Sequence, residues 1–254
     1  GEYDLAYELI IQEDMRYQIV ISLDSDEIPK DKNRMFLSFI KHHIAENDKR
    51  FFESLYIKGE TNRKDFTFSL YMPECEFLRE TIRIPNKRIC LNFSTHDLST
   101  GIQFYNAMIN GRGREYSYKG ITMKIEKIEL KQEKTFMIES ATFKSLSPCV
   151  IREHDGKTNK DWFYSLDSKK GRTLFVENAR GQILESIKDS SYDLADIRIS
   201  LIKNKEVTVK HYGIEVLANI CMFKMEAKPY ILEYFYKAGI GSFKSTGFGM
   251  LSSL

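Results

Sequence analysis

Tyr17-Gln18-Ile19-Val20-Ile21-Ser22-Leu23 sets Tyr17, Ile19, Ile21 and Leu23 on one face and Gln18, Val20 and Ser22 on the other, the period of a strand resting on a core. After the break Pro29-Lys30-Asp31-Lys32, the apolar residues Met35, Phe36, Leu37, Phe39, Ile40 and Ile44 share one broad face of a helix expected over 33–45. Strands are expected at 65–71 and 88–93. A helix over 99–110 follows, ended by Gly111-Arg112-Gly113, and then a strand around 116–119. The order β-α-β-β-α-β is that of a ferredoxin-like unit.

Residues 121–254 repeat that order less regularly. Extended segments are expected at 121–130, 136–143 and 149–152, and a helix over 172–187 whose pattern is interrupted by Gly181. Strands near 197–202, 206–212 and 215–224 precede a helix opened by Pro229 and a terminal strand over 248–254. The reading is an α+β chain of two tandem ferredoxin-like (RRM-like) βαββαβ units, 1–120 and 121–254. No low-complexity linker separates them, so the boundary within 120–131 is soft and the units are expected to pack together.

The chain has 254 residues, 42% hydrophobic and 29% charged, enough to bury a substantial core. Its longest apolar runs, Ile19-Val20-Ile21 and the 216–223 region, are far short of a membrane span, so no membrane partner is expected. The opening Gly1-Glu2-Tyr3-Asp4 is acidic where a signal peptide needs positive charge. Cys75, Cys90, Cys149 and Cys221 are widely spaced, with no Cys-x-x-Cys pair and no zinc-ligand histidine spacing. They read as buried structural thiols of a reduced, cytoplasmic protein. The net charge is only +2, yet residues 198–254 carry a surplus of +4, a mild basic bias suited to a polyanion.

That bias lies beside Gly239-Ile240-Gly241-Ser242-Phe243-Lys244-Ser245-Thr246-Gly247-Phe248-Gly249-Met250, two Gly-apolar-Gly elements separated by five residues that include a lysine. A nucleotide P-loop or a dinucleotide fingerprint needs a helix after its glycines; here the helix comes before and a strand after. Two readings stand: a phosphate cradle, or a shaped connector between helix and strand. The segment resembles the C-terminal glycine-rich motif of the CRISPR-associated RAMP proteins, in particular the endoribonucleases that cut CRISPR repeat RNA. Ser147-Pro148 after an apolar strand and Phe66-Thr67-Phe68-Ser69-Leu70-Tyr71 after a basic turn resemble further parts of that family's pattern, so the likeness runs from about Arg16 to Leu251.

The resemblance implies cleavage of precursor RNA within repeats by attack of the 2′-hydroxyl, leaving a 2′,3′-cyclic phosphate or 3′-phosphate and a 5′-hydroxyl, with no metal and no cofactor. Such chemistry needs a proton acceptor, stabilisation of the phosphorane charge and a proton for the leaving oxygen. His42 and His43 lie on the first predicted helix. His43 falls within its apolar arc and His42 at the margin, where a side chain can reach a ligand while packing fixes its backbone. The family's nucleases place a catalytic histidine in or just after this helix, which favours His42 with His43 as the alternative. Members with a Tyr/His/Lys set carry histidine near the position of Tyr56 and lysine just before the Phe-Thr-Phe-Ser strand, here Lys64; either histidine and tyrosine have exchanged places in this chain, or its site is weaker or differently built. Lys58 and Arg63 are further cations of the same loop. The resemblance assigns RNA contacts to Gly239, Gly241, Phe243, Lys244, Gly247 and Gly249. His96, His154 and His211 read as surface or turn residues, and the acidic pairs Asp24/Asp26 and Glu74/Glu76 lack a third metal ligand. The expected partners are CRISPR repeat RNA and guide RNA, the protein being a monomer or homodimer. The rival reading is a non-catalytic RAMP subunit that holds guide RNA among the subunits of an effector complex.

Overall fold

The computed structural model describes residues 15–58 and 64–254. The first unit begins with β1 (Arg16–Leu23), β2 (Glu27–Pro29), α1 (Lys32–Asn47), α2 (Lys49–Tyr56), β3 (Phe66–Tyr71), β4 (Glu76–Phe77), β5 (Thr81–Arg83) and β6 (Arg88–Thr95). It closes with α3 (Leu98–Gly111), β7 (Glu115–Tyr118) and β8 (Ile121–Lys131). Its main sheet is ordered β3-β6-β1-β8-β7, and β2, β5 and β4 form a small separate sheet. Leaving aside the edge strand β7, that is the 4-1-3-2 order of a ferredoxin-like unit. The alternating residues of β1 behave as their period requires: Tyr17, Ile19, Ile21 and Leu23 are all buried.

The closing strand differs from the sequence reading. β8 opens at residue 121, where the second unit was expected to begin, yet it pairs antiparallel with β1 from Arg16↔Lys131 to Leu23↔Met123. The segment read as the closing strand, β7, only extends the edge by a hairpin from Tyr118↔Ile121. A two-residue turn at Lys119-Gly120 was mistaken for a boundary because hairpin turns and linkers share the same small and polar residues.

The second unit contains β9 (Ser140–Ser145), β10 (Ile151–Asp155), β11 (Lys160–Tyr164), α4 (Lys169–Ser186), β12 (Arg198–His211), β13 (Ile214–Glu226), α5 (Pro229–Ala238) and β14 (Leu251–Ser253). Its sheet is ordered β12-β13-β9-β14, the same topology as β3-β6-β1-β8, with β10 and β11 forming a separate hairpin. The two strands expected at 197–202 and 206–212 are one strand, β12, with a register shift between Leu201 and Lys203. α4 runs unbroken past Gly181. Asp97 and Ser168 cap α3 and α4 by accepting from the backbone N–H of Thr100 and Gly171.

Each unit has its own core. Phe36, Phe39, Phe68, Phe93 and Phe104 fill the first, and Phe143, Phe175, Phe223 and Phe235 the second. Arg16 ties them together. Its guanidinium is buried, lies 4.4 Å over the Tyr236 ring, and donates to the carbonyls of Tyr236 (3.2 Å) and Leu251. A cation at the C-terminal end of α5 also meets the negative end of that helix dipole. The cysteine expectation holds for Cys149 and Cys221, which are buried. Cys75 and Cys90 are only half-buried, and all four thiols are free.

Candidate active site

The glycine segment joins α5 to β14 and draws together the three sequence patterns that resembled one family. Thr67 of β3 donates to the Phe248 carbonyl (2.8 Å), Asn33 of α1 donates to that of Gly247 (3.3 Å), and Gly249 N–H donates to the Pro148 carbonyl (2.9 Å). Ser147 Oγ accepts from Met250 N–H at 2.9 Å. At φ +86 a Cβ on Gly241 would lie 2.6 Å from the Val150 carbonyl oxygen, and at φ +73 one on Gly249 would overlap the Ile240 carbonyl. Gly239 and Gly247 are hemmed in by Thr67 and by Phe68 with Asn33. These close approaches lie within the protein, as a connector requires. Phe248 is fully buried, and the Lys244 side chain, 12% exposed, sits 3.9 Å from Asp65 Oδ1 and 5.7 Å over the Tyr234 ring. Gly241, Ser242 and Lys244 do reach a cavity of about 460 Å³, shared with Lys64, Arg152, His154 and α4 residues including Glu177 and Glu185.

The exposed side of α1 is the chemically richer surface. The Lys41 and Lys64 ammonium groups both lie over the Tyr56 ring, with Nζ 4.6 Å and 4.7 Å from its centroid. Burial lowers the pKa of both lysines, and Lys64 lowers that of Lys41 further. Among the described residues the buried Tyr56 hydroxyl has no hydrogen-bond partner, and burial raises its pKa, so the phenol stays protonated. Its oxygen does not face solvent; the ring receives both ammonium groups. Lys41, one helix position before His42, escaped the sequence reading because lysine on an exposed helix face is ordinary. Only the tertiary approach of Tyr56, which ends α2 and does not lie in a loop, sets it apart. Lys58 is exposed, and Arg63 lies outside the described residues.

His42 is half-buried and stacks on Tyr116 of β7 (centroids 4.5 Å apart, interplanar 23°), whose hydroxyl is hydrogen-bonded to Ser38. His42 directly follows Lys41 on α1, and Lys41 is the α1 residue that meets Tyr56. His43 is buried, edge-on to Phe39 at 4.5 Å, with Nε2 unpartnered and a Cβ-less Gly111 against its ring. Both histidines line a cavity of about 440 Å³ with Arg114 and Glu115.

Burial first, then His42 and Arg114, pushes the His43 pKa down to about 4. His43 is thus neutral in the folded protein at pH 7, while the unfolded chain takes up a proton near pH 6.5. The stability linked to it is complete above pH 6.5 and is lost as the pH falls toward 4. Urea unfolding of wild type and His43→Leu at pH 7 and pH 4.5 should show the variant escaping roughly 2–3 kcal/mol of the acid-induced loss.

A second cluster was invisible in the sequence. His154 Nδ1 lies 2.7 Å from Asp161 Oδ1, which also accepts from Arg152 at 2.7 Å, and the Arg152 guanidinium lies 5.3 Å over Phe243. Pairing across β10 and β11 brings these residues together. His211, expected at a surface turn, is instead buried against Phe243 and Phe248. Among the described residues no three His, Cys, Asp or Glu side chains are grouped to hold a metal, and no helix is long and apolar enough to cross a membrane.

Residues 130–253 match the family model of the CRISPR-associated protein Cas6, C-terminal. Over the whole chain the fold is similar to that of the product of a Cas6-related gene from Pyrococcus furiosus, with 21% identity, TM-score 0.81, and 95% of this chain and 98% of that one covered. It is also similar to a RAMP protein binding different RNA substrates, with 17% identity, TM-score 0.79, and 94% and 99% covered. A Cas6 product complex is 14% identical, with TM-score 0.68 and 94% and 100% covered. No curated protein sequence matches the chain.

Proposed function

With residues 130–253 belonging to the Cas6 C-terminal family, we propose that the chain is a metal-independent endoribonuclease that cuts CRISPR precursor RNA within its repeats. The observation that carries this reading is the exposed face of α1, where Lys41 and Lys64 both meet the Tyr56 ring and His42 directly follows Lys41. His42 takes the proton of the attacking 2′-hydroxyl. The Lys41 and Lys64 ammonium groups, held in a partly dehydrated setting, oppose the charge that grows on the phosphorane oxygens, and one of them, its pKa lowered by burial, gives its proton to the leaving 5′-oxygen. Tyr56 is a positioning residue, since its oxygen is buried and its ring fixes the two cations. His43 packs beneath His42 as a neutral neighbour.

The glycine segment locks the second unit onto β3 and α1, and its Gly241-Ser242-Lys244 edge, with Lys64, is offered to the RNA backbone. The remaining loop glycines serve the fold. The test is incubation of the purified protein with the repeat RNA of the host's CRISPR array in excess EDTA. The expected result is cleavage at one site, leaving a 2′,3′-cyclic phosphate or 3′-phosphate and a 5′-hydroxyl. Tight binding of RNA that stays intact would establish the rival, a RAMP subunit that holds RNA without cutting it.

A further inference from the structure

We propose that Tyr212 and Tyr118, at the tips of two β-hairpins from the two units, form with Arg34 a stacking site for one nucleobase of the RNA strand. The inference rests on the reading that RNA runs over α1. In the β12–β13 hairpin, His211 pairs with Ile214, leaving a two-residue turn of Tyr212 (φ 49) and Gly213 (φ 81). The β7–β8 hairpin has the same build: Tyr118 pairs with Ile121 around Lys119 (φ 47) and Gly120 (φ 81). Turns with two positive φ values favour Asn-Gly, and a tyrosine in the left-handed region is strained. The first hairpin keeps that strained tyrosine 45% exposed, so burial does not explain it.

The Tyr212 tip meets Arg34 of α1, and Tyr118 ends the strand whose Tyr116 stacks on His42 of the same helix. The Arg34 guanidinium lies 4.9 Å over the Tyr212 ring, and Lys119 Nζ lies 5.6 Å over Tyr118. The pKa of each phenol is raised by burial first. Arg34 opposes that rise in both, Asp31 adds to it in both, and Tyr118 adds to it in Tyr212. Arg34 and Lys41 lie two turns apart on one face of α1, so the Tyr212 tip and Tyr56 meet the same side of that helix. Aromatic faces beside a guanidinium plane, with lysines to either side, suit an unpaired base whose flanking phosphates meet the cations. Every base has a π-face, so the site is tolerant of sequence and sets the register of the strand against the cut.

The experiment uses the repeat RNA of the host's array with 2-aminopurine at one unpaired position per molecule, titrated with wild type, Tyr212→Asn and Tyr212→Phe. Binding of wild type is expected to quench one such position strongly. Tyr212→Asn should lose that quenching and bind roughly tenfold more weakly, while its melting temperature is unchanged or raised because asparagine suits the turn. Tyr212→Phe should behave as wild type. If wild type binds and Tyr212→Asn matches it in affinity and in quenching at every position, the stacking site is wrong and the proposed function stands. A lowered melting temperature with unchanged binding would make Tyr212 structural. If wild type binds no repeat RNA, both readings fall.

Discussion

His42→Ala is expected to slow single-turnover cleavage of repeat RNA by roughly 10²- to 10⁴-fold, the usual worth of a general base, while RNA affinity changes little. The contrast follows from placement. His42 stacks on Tyr116 at the margin of α1, and its loss leaves in place Lys41, Lys64 and the Tyr56 ring that both meet. Charge that holds the strand survives; the proton acceptor does not. If His154→Ala abolishes cleavage while His42→Ala is nearly silent, the chemistry belongs to the cavity beside the glycine segment, where His154 meets Asp161 and Arg152.

Gly249→Ala is expected to destabilise the protein by roughly 3 kcal/mol or more, through the cost of a left-handed alanine added to that of overpacking. Its Cβ would overlap the Ile240 carbonyl, and the exchange between Ile240 N–H and the Gly249 carbonyl (3.0 Å) would be forced apart. That strain falls on the segment holding the two units together. Urea unfolding should therefore show a large drop in midpoint, or two transitions in place of one. Gly181→Ala is the control. Nothing lies within 4 Å of its added Cβ, and it sits inside α4, where alanine is the better helix former. A Gly249→Ala protein as stable as wild type would show that the loop does not lock the units.

The first unit was legible because its elements obey single periods: alternation in β1 and one apolar face on α1 are both carried by residues that turn out buried. The strand that closes it was misplaced because only the pairing of β8 with β1, more than a hundred residues apart in sequence, decides its sheet. The small sheet of β2, β5 and β4 and the strand β11 were missed for a related reason, and β10 was expected only as 149–152, since strands of two to five residues leave no period to read. At the site, the helix-margin argument separated His42 from His43 correctly as to burial, because 100° per residue is a strong constraint on a packed helix. Lys41, Arg34 and Tyr212 carried no such signal. Their significance lies in cation–aromatic approaches between α1, α2 and the β12–β13 tip, which spacing along the chain cannot encode. The glycines were singled out for an approach to phosphate; the close contacts that demand them are with Val150, Ile240, Thr67 and Phe68 of the protein itself.

The central claim is that the RNA's own 2′-hydroxyl is the nucleophile, deprotonated by a side chain of α1. The most direct measurement compares, in excess EDTA and with protein saturating, repeat RNA against the same RNA carrying one 2′-deoxy substitution at the cut site. Binding of both with equal affinity and cleavage of the unmodified strand alone is the predicted result. Cleavage of the substituted strand at the same bond would require attack by water, and would contradict the mechanism even if every binding prediction held.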